Sequence, residues 1–142
     1  FKEGLGCLGL LPGMQKHPGL FKDVFIYEEK QLFAKDLAAL FRAEVSPAGS
    51  NRRVVESRII CFWRDWLIEV EEGNTHPLTL KKILAFASGC TAIPRLGFPV
   101  ERKLEFLHPQ DNEHCFKAAN SYELFREHME NGILQSPTFG VT

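Results

Sequence analysis

The stretch from Asn51 to Glu72 constrains this chain more than any other. Val55, Ile59, Phe62, Trp66 and Val70 recur at steps of three and four, and Ile60, Trp63 and Leu67 widen the stripe, the period of an amphipathic helix. Ser50 or Asn51 is placed to cap its amino end, and Gly73 follows its last turn. So broad an apolar arc must be covered from more than one side. Burial of Phe62, Trp63 and Trp66 contributes a few kcal/mol each, at roughly 25 cal/mol per Å² of apolar surface. This helix is the expected spine. Arg64 and Asp65 read as surface charges on it. The segment Ser46-Pro47-Ala48-Gly49-Ser50 breaks the chain before it and is the expected hinge or domain boundary.

Other elements are arranged around the spine. Phe1 to Met14 carries Phe1, Leu5 and Leu8 at helical spacing, but Gly4, Gly6, Gly9 and Gly13 weaken any helix there, and the stretch reads as the end of an element. Pro18 opens a short helix with Leu20, Phe21, Val24 and Phe25 as its apolar face, and a second is predicted over Lys35–Arg42 with Leu37, Leu40 and Phe41 inward. Pro77 or Thr79 starts a further helix, with Leu80, Ile83, Leu84 and Ala87 as its buried stripe and Gly89 closing it. Thr91–Pro99 is irregular. Lys103–His108 fits a short strand, with Leu104, Phe106 and His108 on one face. A last helix begins at Asn120, where Asn120 and Glu123 have capping-box spacing, and runs to Gly132, leaving Ile133 in the tail. The expected fold class is α+β, mostly helical with a small β-sheet.

Composition excludes several function classes. The net charge of −1 and the mixed signs give no footing for nucleic acid or an anionic membrane surface, and no apolar run approaches the roughly 20 residues that span a bilayer. Four cysteines without regular spacing fit free thiols in a reducing compartment, so the expected location is intracellular, in cytoplasm or nucleus. The chain opens Phe1-Lys2-Glu3 with no signal peptide and reads as a piece of a longer protein.

Among the cysteines, Cys115 stands apart. The predicted strand is followed by the polar turn Pro109-Gln110-Asp111-Asn112-Glu113, and His114-Cys115-Phe116 comes directly out of it. A cysteine there either begins a short buried strand or presents a thiolate that partners reach. Cys61 lies in an apolar run, and Cys7 and Cys90 lie among small residues, where a thiol acts as a small hydrophobe. His114 neighbours the thiol in sequence, but adjacent side chains of an extended segment point opposite ways; His108 folding back across the turn is the alternative base, which the sequence does not show. His108, His114 and Cys115 lack a fourth zinc ligand and a recognised spacing; no metal and no cofactor is expected.

Several motifs in order resemble the carboxy-terminal part of a HECT ubiquitin ligase domain. Phe62-Trp63-Arg64-Asp65-Trp66 resembles the aromatic helix that opens the family's C-lobe. Ile83–Gly89 with Ile93-Pro94-Arg95-Leu96-Gly97-Phe98 resembles the apolar stretch that follows, and His114-Cys115-Phe116 falls at the motif around the catalytic cysteine. Ser121-Tyr122-Glu123-Leu124 resembles the start of the final helix, and Phe139-Gly140 the family's terminus. The resemblance implies that residues 1–46 are the end of an N-lobe and 47–142 a C-lobe, with the hinge near 46–50. It implies that Cys115 accepts ubiquitin from a conjugating enzyme as a thioester and passes it to a lysine of a protein substrate. Phe139 matches a phenylalanine used in that transfer, and His114 and Phe116 would support the thiol. Two departures stand out. Only Phe116-Lys117-Ala118-Ala119 separates Cys115 from the last helix, where the family has a strand and a loop, and histidine precedes the cysteine where threonine is common. They keep open a second expectation, a HECT-like binding or scaffold module without transfer.

Overall fold

The computed structural model describes residues 1–26, 30–106 and 121–136. Among them the elements run α1 (Lys2–Cys7), α2 (Leu10–Lys16), α3 (Pro18–Phe25), α4 (Ala34–Leu40), β1 (Phe41–Ala43), α5 (Asn51–Glu71), α6 (Leu80–Ser88), β2 (Arg102–Leu104) and α7 (Tyr122–Gln135). The fold is α+β, mostly helical with a small two-stranded parallel sheet. The chain divides into two compact units, one formed by Phe1–Gln31 with Ile93–Gly97 and one by Leu32–Ala92 with Phe98–Thr142.

In the first unit, α1 and α2 form despite the weakening glycines, and Gly9 supplies the left-handed joint between them at φ 67°. The chain bends at Gly9 between α1 and α2 and at His17 between α2 and α3, so each helix stays short although α1 runs through Gly4 and Gly6. Pro18 occupies the first turn of α3, where its missing N–H costs nothing. Leu20, expected inward, is exposed, as is about half of Phe25; Phe21 is half-buried, and the Val24 side chain lies outside the described ones. The Arg95 guanidinium donates to the Ile26 carbonyl at 3.0 Å and ties the two segments of this unit together.

The second unit is built on α5. The Ser50 hydroxyl accepts from the Arg53 N–H at 3.2 Å and caps the helix, and Gly73 takes φ 80° just beyond its end. Trp66 and Leu67 are fully buried, with Trp63 and Val70 nearly so. Three neighbours cover the arc. Leu37 and Phe41 reach it from α4 and β1, Ile83 and Leu84 from α6, and Phe125 and Ile133 from α7. Aromatic rings interlock through this core: Trp63 and Trp66 at 5.6 Å between centroids, Phe41 edge-on to Trp63 at 5.9 Å, and Phe125 edge-on to Trp66 at 6.3 Å, geometries that the ring quadrupoles favour. The amino end of α4 is held by two carboxylates: Asp36 accepts from the Phe33 N–H at 3.0 Å and Glu71 from the Ala34 N–H at 2.6 Å.

Four expectations need correction here. The helix predicted over Lys35–Arg42 ends at Leu40, and Phe41–Ala43 is a strand paired with β2; pairing with a distant segment overrides the local helical spacing. Ala87 is exposed, since Leu80, Ile83 and Leu84 already fill the inner face of α6. The last helix passes through Gly132 to Gln135 and buries Ile133; one glycine costs only about 1 kcal/mol in a helix, less than an isoleucine gains by burial. Its cap is Ser121, whose hydroxyl accepts from the Leu124 N–H at 3.4 Å; Asn120, the expected cap, lies outside the described residues.

Candidate functional site

The sequence places its chemistry between β2 and α7. The strand that leads there alternates as expected, with Leu104 and Phe106 half-buried and Lys103 and Glu105 exposed, although the ladder is confined to Arg102–Leu104. Its register is parallel, with Arg42 opposite Lys103 and Ala43 opposite Leu104. Two cations facing each other would repel, yet each is answered by a glutamate one step along: Arg42 pairs with Glu101 at 3.3 Å, and Lys103 with Glu44. The Glu44 carboxylate, by hydrogen bond first and charge second, raises the Lys103 pKa. The Glu44 N–H donates to the Leu104 carbonyl at 3.0 Å and extends the ladder by one bond.

On the other side, α7 is fixed to α5 by rings and charge. Phe62 meets Tyr122 edge-on at 5.6 Å and Phe125 at 6.0 Å. The Arg126 guanidinium reaches Glu130 at 2.7 Å and Glu69 of α5 at 3.4 Å. The Tyr122 hydroxyl faces Glu69 without closing a well-formed hydrogen bond, and burial, then the glutamate, pushes its pKa up. At the first turn, the Ser121 hydroxyl donates to Glu123 at 2.5 Å and lowers that carboxyl's pKa. The segments flanking the candidate site are thus held by the ladder at Leu104 and by the capped start of α7 at Ser121.

Residues 107–120 and 137–142 lie outside the described residues. With them lie all the site residues singled out in the sequence: His114, Cys115 and Phe116, and Phe139 at the tail. The polar turn Pro109–Glu113 and His108 lie there too.

The remaining thiols differ from expectation. Cys61 is exposed, because a helix turns about 100° per residue and carries it away from Trp63 and Trp66 to the polar side with Arg58 and Arg64. An apolar neighbourhood in sequence is not burial. Cys7 is also exposed and Cys90 half-buried, so accessibility alone does not single out Cys115 among the four. Among the described residues, no group of three His, Cys, Asp or Glu side chains is placed to hold a metal ion, and no helix is long and apolar enough to cross a membrane.

One polar arrangement escaped the sequence reading. Glu56 sits in the second turn of α5 and is only 1% exposed. Its two carboxylate oxygens accept from the Ser46 N–H and the Ser46 hydroxyl, both at 2.6 Å. Arg53 adds a bond from its guanidinium to the Ser46 carbonyl at 3.0 Å. The signal available was Glu56 falling between Val55 and Ile59, on the inner side of the helix, where a carboxylate needs donors.

Comparison with known proteins gives a partial identity. No family model matches the chain, and no solved structure matches it. The chain is 33% identical over 137 residues to the human protein named G2/M phase-specific E3 ubiquitin-protein ligase, 34% to the Gallus gallus protein of that name and 32% to that of Macaca fascicularis. Each alignment covers 92% of this chain but only 18% of the relative. Over nearly all of its own length, the chain is related to proteins named as E3 ubiquitin-protein ligases.

Proposed function

We propose that the chain is the carboxy-terminal transfer lobe of a HECT-type ubiquitin ligase, with Cys115 as its nucleophile. The observation that carries this is the relation to proteins named as ubiquitin ligases, together with the ordered HECT-like motifs that end on His114-Cys115-Phe116. In the proposed cycle the Cys115 thiolate attacks the carbonyl of ubiquitin held as a thioester on a conjugating enzyme. A new S–C bond forms and the donor's thiolate leaves. A substrate lysine amine then attacks, the amide forms, and the Cys115 thiolate is released with loss of the amine's proton. A thioester preserves the acyl group's activation between the two partners. The expected boundary at 46–50 falls inside one compact unit, where α4 and β1 pack on α5 and β1 pairs with β2. In this reading the transfer lobe therefore begins at Leu32, not at residue 47, and Phe139 is an apolar contact that holds the discharge geometry. The conjugating enzyme, the protein substrate and a cytoplasmic or nuclear setting belong to the same proposal.

A second reading is favoured by one specific feature, the four residues Phe116–Ala119 between the cysteine and the last helix. If that segment does not support the thiol, the lobe is a binding or scaffold module that holds ubiquitin without transfer. A single-turnover assay in the full-length protein, run with and without reductant, decides between them. Wild type should form a reducible ubiquitin adduct that Cys115→Ser abolishes, while Phe139→Ala should keep the adduct and slow its discharge to lysine, on the order of a hundredfold for a misplacement of about 1 Å. No reducible adduct on wild type would favour the scaffold.

A further inference from the structure

We propose that Ser46 is a phosphoacceptor for a proline-directed protein kinase, and that its phosphorylation opens a latch at the entry to the long helix. The latch is the Glu56 carboxylate, buried to 1% exposure, which takes both the N–H and the hydroxyl of Ser46 at 2.6 Å. Charge-assisted bonds of this length are the strong kind. They hold the chain at Ser46 against the second turn of α5, while the turn Pro47–Ser50 closes through the Ser50 N–H to the Pro47 carbonyl at 3.3 Å.

Two features make Ser46 a modification site. It is followed by Pro47, and Pro47, Ala48 and Gly49 are exposed, so the residues that such a kinase reads lie on the surface. Ser46 itself is only half-buried. The modification is also matched to the latch. Phosphoryl transfer joins the Ser46 Oγ to the γ-phosphorus of ATP, ADP leaves, and the hydroxyl proton goes to the kinase's base. The product has lost the donor that Glu56 accepted and places up to two negative charges beside a buried carboxylate. Repulsion drives the phosphate away from Glu56. Arg53, already bonded to the Ser46 carbonyl at 3.0 Å, and the amino end of α5 offer it positive charge. The turn is then released from the second turn of the helix. Its consequence for ubiquitin transfer rests on the function proposed above; the latch itself does not.

The test needs no ubiquitin. The full chain is incubated with ATP and a proline-directed serine/threonine kinase, the modified residue is mapped by mass spectrometry, and exchange of the Ser46 amide is followed by NMR. The expected result is phosphate on Ser46 and a loss of Ser46 amide protection of about tenfold or more, since that amide's own partner is Glu56. Glu56→Gln should take phosphate several-fold faster than wild type, and Ser46→Ala should take none at that position while its melting shows that the fold is kept. Absence of phosphate on the wild-type chain, under conditions that modify a peptide spanning Glu44–Arg52, overturns the proposal whatever the variants do. Phosphate on Ser46 with amide protection unchanged overturns it equally.

Discussion

The two halves of α5 are buried by different means. Around Trp63, Trp66 and Val70 the helix is enclosed by rings and aliphatic chains, an attraction that scales with area and tolerates small shifts. Around Glu56 it is held through two 2.6 Å hydrogen bonds to Ser46, an attraction that depends on geometry more than on area. The comparison teaches that one helix can be both a rigid core element and the seat of a releasable contact, provided that the two are a few turns apart.

The largest expected effect tests the aromatic half. Trp66→Ala should destabilise the fold by about 3–5 kcal/mol, the usual cost of emptying a large aromatic site, and lower the melting temperature by on the order of 10 °C; Trp63→Ala should fall at the lower end of that range. A shift of one or two degrees for both would remove α5 as the spine. Next comes the polar half. Glu56→Ala leaves the Ser46 donors without their acceptor and should cost about 2 kcal/mol, with the added exchange concentrated at Ser46. If Glu56→Leu proved as stable as wild type and kept that amide protected, the contrast between the halves would collapse.

Smaller effects sharpen the picture at the periphery. Lys103→Glu sets a second acid beside Glu44 and should speed exchange of the Glu44 amide that bonds Leu104, with little change in melting, since an exposed ion pair contributes little. The smallest effect is seen in tyrosinate absorbance. Tyr122 holds its proton more tightly folded than unfolded, its pKa being raised by burial and then by Glu69. Its contribution is therefore intact below the ordinary value near pH 10 and is lost as the pH rises through the folded value. One of the chain's two tyrosines should titrate above that ordinary value, and Tyr122→Phe should remove this late phase.

Much of the second unit was legible because its signals are local. The Ser50 cap, the three-and-four spacing of Ile59, Phe62, Trp66 and Val70, and the Thr79 and Gly89 ends of α6 all lie within a few residues of what they determine. What was missed depends on residues far away. Phe41-Arg42-Ala43 continues the pattern of α4, and only Arg102–Leu104 turns it into a strand. Glu56 was not singled out in the sequence, since its partner Ser46 lies ten residues away across the breaker; Cys61, by contrast, was misjudged for a local reason, sharing a run with Ile59, Ile60 and Phe62 but turning outward. The candidate nucleophile was legible only as a thiol following a polar turn; His114, Cys115, Phe116 and Phe139 lie outside the described residues.

The parallel pairing of Phe41–Ala43 with Arg102–Leu104 has a bearing on the order in which the fold assembles. Everything between the two strands, α5 and α6 included, must be traversed before they meet, so the ladder closes a long loop for only a few backbone hydrogen bonds. Such a closure is not repaid until the intervening helices have packed and brought its ends together. The helices should therefore condense first around Trp66, with the strands joining late. In unfolding, the sheet should come apart while the helical core is still intact, so that Arg102–Leu104 loosens at a smaller free-energy cost than α5 does.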